Sequence, residues 1–285
     1  MSLHFELIES LSLPGHPAKP NEDSFVATPK AAAVFDGATG LGARLMPGPS
    51  DAHWLAQFAA RRLSAHAEAG AGDLRDWLRA AAADAEKSFR ALRKRPPLEN
   101  YETPYASAVI AAPEGDDLRV LWFGDCAALL RSGDGKFMLL GDTIGRRENE
   151  RARVERLAKS QHRGPAAAGV REEFFPVLRA ARNLVNTGED WLFAPDAACA
   201  DHAKEARVAI APDSLVVLAS DGFLALASDY ARYTPEALFA AATQNGLAVL
   251  GRELRAVEAS DPDGLRYGRF KRSDDATALL LSMRE

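Results

Sequence analysis

Only two cysteines, Cys126 and Cys199, occur in the 285 residues. Two thiols this far apart exclude a disulfide-stapled scaffold and a thiolate zinc site, and they fit a reducing compartment. No apolar run approaches the roughly 18 residues that cross a bilayer. The opening residues, MSLHFELIES, carry acids where a secretory leader has a basic head and an apolar centre. The expectation is a cytoplasmic protein with no membrane partner. Nor is positive charge in excess: 35 Lys and Arg stand against 40 Asp and Glu, a formal net charge of -5. A general nucleic-acid binder needs a basic surface to neutralise phosphates, so that class is excluded. There is no GxSxG or HExxH motif, and no internal repeat. GATGLG at 37–42 lacks the Lys-Ser/Thr of a phosphate-binding loop and reads as a turn.

What is present is enough apolar material for a full core: 47% of the residues are hydrophobic. Strand-like segments occur at 3–11, 24–28 and 31–35. Helical periodicity follows at 50–69, capped by Ser50 or Asp51, with Trp54, Leu55, Phe58 and Leu63 on its apolar stripe. A second helix at 72–93 places Leu74, Trp77, Leu78, Phe89 and Leu92 inward and dies at Pro96 and Pro97. Four strands at 106–112, 118–123, 127–131 and 136–140 are separated by turn signals such as SGDG, which makes antiparallel neighbours. Residues 146–183 are charged and read as mostly helical, either a variable insertion or a solvated helix pair. WLFA, ARVAI and SLVVLAS (214–220) read as strands, two helices fill 235–260, and ATALLLS (276–282) is a last strand. Runs of strands with helices grouped between them predict an α+β fold with antiparallel sheets covered by helices.

Four apolar strands abut an aspartate: Asp23 before SFVAT, Asp36 after AAAVF, Asp221 after SLVVLAS, and Asp274 with Asp275 before ATALLLS. The Asp36-Gly37 step itself reads as a tight turn. If these strand ends are neighbours, several carboxylates converge, and charges about 4 Å apart repel by roughly 4 kcal/mol per pair at an effective dielectric of 20. A proton or a cation must compensate. Oxygen-only ligands suit a hard ion, Mg²⁺ or Mn²⁺, over zinc. The competing reading is four independent turn-capping residues that never meet. His53 and His66 fall on helix surfaces, and His162 and His202 in exposed segments. Cys126, beside Asp125, reads as a small buried residue whose thiolate is disfavoured.

The series NED, FDG, GDC, ASDG and SDDAT, in that order from residue 21, resembles the motifs of the PP2C family of metal-dependent protein serine/threonine phosphatases. The resemblance implies one phosphatase domain over residues 1–285, a four-layer α/β/β/α sandwich of two packed antiparallel sheets, with 146–183 as a flap or variable insertion. It implies hydrolysis of phosphoserine and phosphothreonine monoesters on a phosphorylated protein substrate, by water activated between two Mg²⁺ or Mn²⁺ ions. Asp36 would bridge the ions and the Gly37 carbonyl would bind one of them. Asp221 would hold the other with Asp274, Asp275 being the fallback. Glu22 and Asp23 would accept hydrogen bonds from waters on the ions, and Asp125 would help bind a third ion. Asp36, Asp221 and Glu22 are thus the catalytic candidates.

The chain also departs from the pattern. Ala18 stands where many members have a phosphate-gripping Arg, and the neighbouring Lys19 offers only a point charge. Ala38 replaces a His found after the DG of eukaryotic members. Cys126 and Ala127 replace a Ser and an Arg, and Ala106, Ser107 and Ala108 stand where a Gly and Thr pair is common. These changes motivate an alternative: a catalytically weak or inactive protein of this fold that binds phosphorylated or regulatory partners. The substrate's identity and the oligomeric state are not set by the sequence.

Overall fold

The computed structural model describes residues 3–143, 175–269 and 271–285. Among the described residues, ten strands make two antiparallel sheets of five. One takes the order β2 (Asp23–Ala27), β3 (Ala32–Gly37), β4 (Ala106–Glu114), β5 (Asp117–Phe123) and β8 (Lys204–Ala209). The other runs β1 (His4–Leu13), β10 (Ala276–Arg284), β9 (Leu215–Ala219), β6 (Ala127–Arg131) and β7 (Phe137–Leu140).

Period-two alternation builds the layers. Along β3, Ala33 and Phe35 pack against helices α1 (Asp51–Ala69) and α2 (Leu74–Leu92), together with Leu55, Leu63 and Leu78. The intervening Ala32 and Val34 meet Leu218, Leu279 and Leu281 of the other sheet. That second sheet turns Leu129, Val217 and Leu280 outward onto α4 (Asp221–Ser228), α5 (Pro235–Asn245) and α6 (Leu247–Ser260). The result is helix, sheet, sheet, helix, the layering the sequence predicts. A further helix, α3 (Phe175–Arg182), is the described end of the charged segment; its remainder, 146–174, lies outside the described residues. Among the described residues no helix is long and apolar enough to cross a membrane.

Local signals explain the helix ends. Ser50 Oγ accepts from the His53 N–H (3.0 Å), and Gly70, at φ 71°, closes α1 in the left-handed conformation. Asp73 and Asp76 form a reciprocal capping box at the start of α2. Three expectations need correction. WLFA is not a strand: Phe193 makes one isolated bridge to Ala106, and its ring is taken into the helix-facing core. Leu92, the last residue of α2, is exposed, and the burial of that last turn stops at Phe89, which packs on Leu45 and Met46. Helix α4 was not anticipated; its eight residues, DGFLALAS, are too short and too uniformly apolar to show a helical period.

Candidate metal centre

Asp36 stands two residues beyond Val34 on β3 and therefore shares the face that looks toward the second sheet. Its direct partner across the ladder is Asp23, the first residue of β2. Asp125 follows Gly124 (φ 66°) in the turn between β5 and β6, and Asp221 opens α4 directly after β9. Four separate chain segments thus end at one edge of the sandwich. Asp36, Asp125 and Asp221 each offer a carboxylate oxygen within 4.8 Å of the others. Asp221 is buried, while Asp36 and Asp125 are half-buried.

The Asp36-Gly37 step is not the tight turn expected from sequence, and Asp221-Gly222 is not a turn either. Gly37 and Gly222 both have ordinary negative-side backbones, within β3 and α4, and what they supply is room. A Cβ on Gly37 would lie 2.7 Å from the Ala52 and Glu22 carbonyl oxygens; one on Gly222 would lie 1.9 Å from the Asp275 carbonyl oxygen. Each glycine lets another backbone segment close onto the acidic edge.

The two final aspartates divide their work. Asp275 receives backbone N–H groups on both oxygens, Gly15 on Oδ1 (2.7 Å) and Glu22 on Oδ2 (2.6 Å), and so ties the β1–β2 connection to the start of β10. Asp274 instead accepts from Lys271 Nζ on Oδ1 (2.7 Å). Its charge is felt at both Asp36 and Asp23. Glu22 accepts from Thr39 Oγ1 (2.5 Å), and its carbonyl accepts from the Gly37 N–H (3.0 Å).

Electrostatics mark the same place. Burial raises the Asp23 carboxyl to about 7, the Ser220 hydroxyl opposing the rise and the charges of Asp275 and Asp274 adding to it. Asp36 is pushed well above the usual carboxylate range by burial, then by the charges of Asp23, Asp221, Asp125 and Asp274. Asp23 Oδ2 accepts from Ser220 Oγ (2.8 Å), whose oxygen in turn accepts from the Thr277 N–H (2.9 Å), but Asp23 Oδ1 is buried without a partner. One buried carboxylate oxygen without a donor, beside three converging carboxylates, fits a hard divalent cation with its waters. Burial, followed by the charges of Asp36 and Asp125, holds the Cys126 thiol protonated, as its neighbourhood suggested.

Other candidates fall elsewhere. Ala18 and Lys19 are exposed. His53 is half-buried, its Nδ1 donating to the Asn21 carbonyl (2.7 Å), so it secures the NED segment and is not a free surface group. His66 is likewise half-buried, bonded to Asp84 (2.8 Å), and His202 is exposed and stacked on Trp191. His162 lies outside the described residues. Ser220 and Lys271 are the contributors that sequence reasoning missed. Ser220 carried no signal beyond standing next to Asp221; Lys271, three residues before Asp274, could have been found as a cation inside the last motif.

A two-sheet sandwich of this layering is the fold of known serine/threonine phosphatases. The Mycobacterium tuberculosis phosphatase PstP/Ppp aligns over 100% of both chains at 18% identity with a TM-score of 0.57. The PstP catalytic domain solved with two manganese ions gives 16% identity, 100% coverage of both chains and 0.57. Stp1 of Staphylococcus aureus gives 14%, covering 100% of this chain and 98% of its own, and 0.55. At these identities the likeness establishes the fold. No curated protein sequence matches the chain. The sequence profile described as protein phosphatase 2C matches residues 16–255, and the chain belongs to that family.

Proposed function

We propose that the chain is a metal-dependent phosphatase, one domain over its length, that hydrolyses phosphoserine and phosphothreonine monoesters on proteins. The observation that carries this reading is the convergence of Asp36, Asp125 and Asp221 at one sheet edge in a protein phosphatase 2C chain. Asp36 would hold both of two Mg²⁺ or Mn²⁺ ions, the Gly37 carbonyl one of them, and Asp221 with Asp274 the other. Asp125 is assigned to a third. Asp275 is left out, because both of its oxygens already hold backbone N–H groups. When bound, the ions supply an activated water and positive charge for the phosphoryl oxygens. Asp23 and Glu22 would orient water at the centre, Asp23 through its unpartnered Oδ1. Ala38 offers no acid group, so the departing seryl oxygen would take its proton from solvent or from a metal-bound water.

Hydrolysis of p-nitrophenyl phosphate and of a phosphopeptide, measured with Mn²⁺, with EDTA and in an Asp36→Asn variant, tests the proposal. A manganese-dependent rate lost in both controls supports it; no rate above background contradicts it. The exposed Ala18, which offers no grip on phosphate, favours a second reading. Capture of a phosphoprotein without turnover would support that one, a binding protein on the same fold.

A further inference from the structure

Lys271 brings an ammonium directly onto the acidic edge. Its Nζ sits 2.7 Å from Asp274 Oδ1, both side chains are about one-third exposed (36% and 32%), and both line a cleft beside Gly222 at the start of α4. The neighbouring carboxylate has no such freedom, since Asp275 is committed to two backbone N–H groups. Asp274 Oδ1 also accepts from the Asp275 N–H (3.1 Å), yet Asp274 is the member of the pair held in part by a side chain that can swing away. An ammonium and a divalent ion seek the same carboxylate lone pairs, and the cluster's negative charge attracts both.

We propose that Lys271 is a built-in counter-cation of the metal-free centre, one that surrenders Asp274 when the second metal ion binds and so weakens that ion's affinity. This rests on the reading of Asp274 as a metal ligand. The lysine stabilises the carboxylate cluster when metal is scarce, and it separates the two metal affinities by acting on one of them. A positioning role predicts the opposite sign, because a lysine that only oriented Asp274 would strengthen metal binding.

Isothermal titration of the metal-free protein with Mn²⁺ tests the inference in wild type, Lys271→Met, Lys271→Arg, Lys19→Met and Asp274→Asn. The expected result is two tighter sites in wild type, apart from the weak third one assigned to Asp125, with the weaker of those two tightened about tenfold in Lys271→Met, or about 1.4 kcal/mol. Lys271→Arg, which keeps the charge and the pairing, should stay within about threefold of wild type. Lys19→Met should leave both sites unchanged, which separates direct exchange from a general charge effect. Asp274→Asn should retain the tighter site and lose the weaker one. Thermal melts without metal should show Lys271→Met less stable than wild type, a readout independent of turnover. Unchanged or weakened manganese binding in Lys271→Met overturns the inference while leaving the metal centre standing. Failure of wild type to bind manganese overturns the reading of the centre itself, and this inference with it.

Discussion

Asp23 and Asp36 are direct partners across the β2–β3 ladder, two carboxylates set opposite one another at the edge of a sheet. Like charges in that relationship destabilise an antiparallel pair, and burial of both adds to the penalty. The fold keeps them together although Ser220, itself held by the Thr277 N–H, reaches only Asp23 Oδ2 and Asp23 Oδ1 is buried without a partner. Asp36→Asn should therefore raise the stability of the metal-free protein by about 1 kcal/mol and abolish the stabilisation that Mn²⁺ gives wild type. Denaturant melts with and without Mn²⁺ measure both effects. A variant that is less stable without metal, or still stabilised by it, would count against a centre built on this pair.

Asp274 and Asp275 are adjacent and should behave as opposites. Asp275→Ala removes the acceptor of two backbone N–H groups and should cost about 3 kcal/mol of stability with or without metal. Asp274→Ala loses an ion pair about one-third exposed, worth under about 1 kcal/mol, and the acceptor of the Asp275 N–H, so it should cost less than Asp275→Ala in metal-free protein and show its main effect when Mn²⁺ is added. Equal losses in the two variants would refute this division.

Glu9 of β1 reaches the start of α6, where its two oxygens accept the N–H groups of Leu247 and Ala248 at 2.8 Å each. A carboxylate there satisfies donors that the helix leaves open and faces the positive end of its dipole. Glu9→Ala should cost about 1–2 kcal/mol in urea unfolding, and Glu9→Gln less. Metal affinity should not change in either.

The pH dependence should show a separate acid-labile element. Arg95 grips both oxygens of Glu102 (2.7 and 2.8 Å), lowering its carboxyl from 4.5 to about 2, with the Leu98 N–H contributing. A depressed carboxylate stabilises the fold above its unfolded value and loses that contribution as pH falls through the folded one. Wild-type stability should thus decline between about pH 4.5 and pH 2, and Arg95→Met should flatten that part of the profile. Identical acid profiles for the two proteins would remove Glu102 from the account.

Much of this was legible in the sequence because it follows from period and punctuation. The apolar run AAAVF reads as a buried strand and Ser50 announces its helix through capping chemistry, whereas the Asp73 cap of α2 emerged only with the structure. The aspartates at strand ends could be read as a set, yet spacing alone could not make them neighbours; that depends on which strands pair. The reason for the glycines at 37 and 222 was hidden for the same cause, since the backbones they admit come from Ala52, Glu22 and Asp275. Asp274 and Asp275 could not be told apart because their difference lies in partners up to 260 residues away. Helix α4 gave no period to read, and Ser220 acquires its role only when Asp23 arrives beside it.

The most direct measurement is anomalous diffraction at the manganese edge from crystals grown with Mn²⁺. The account predicts two strong peaks beside Asp36, one of them also contacting Asp221 and Asp274, with Asp275 still bound to the N–H groups of Gly15 and Glu22. Manganese absent from Asp36, or bound through Asp275 in place of Asp274, would contradict it.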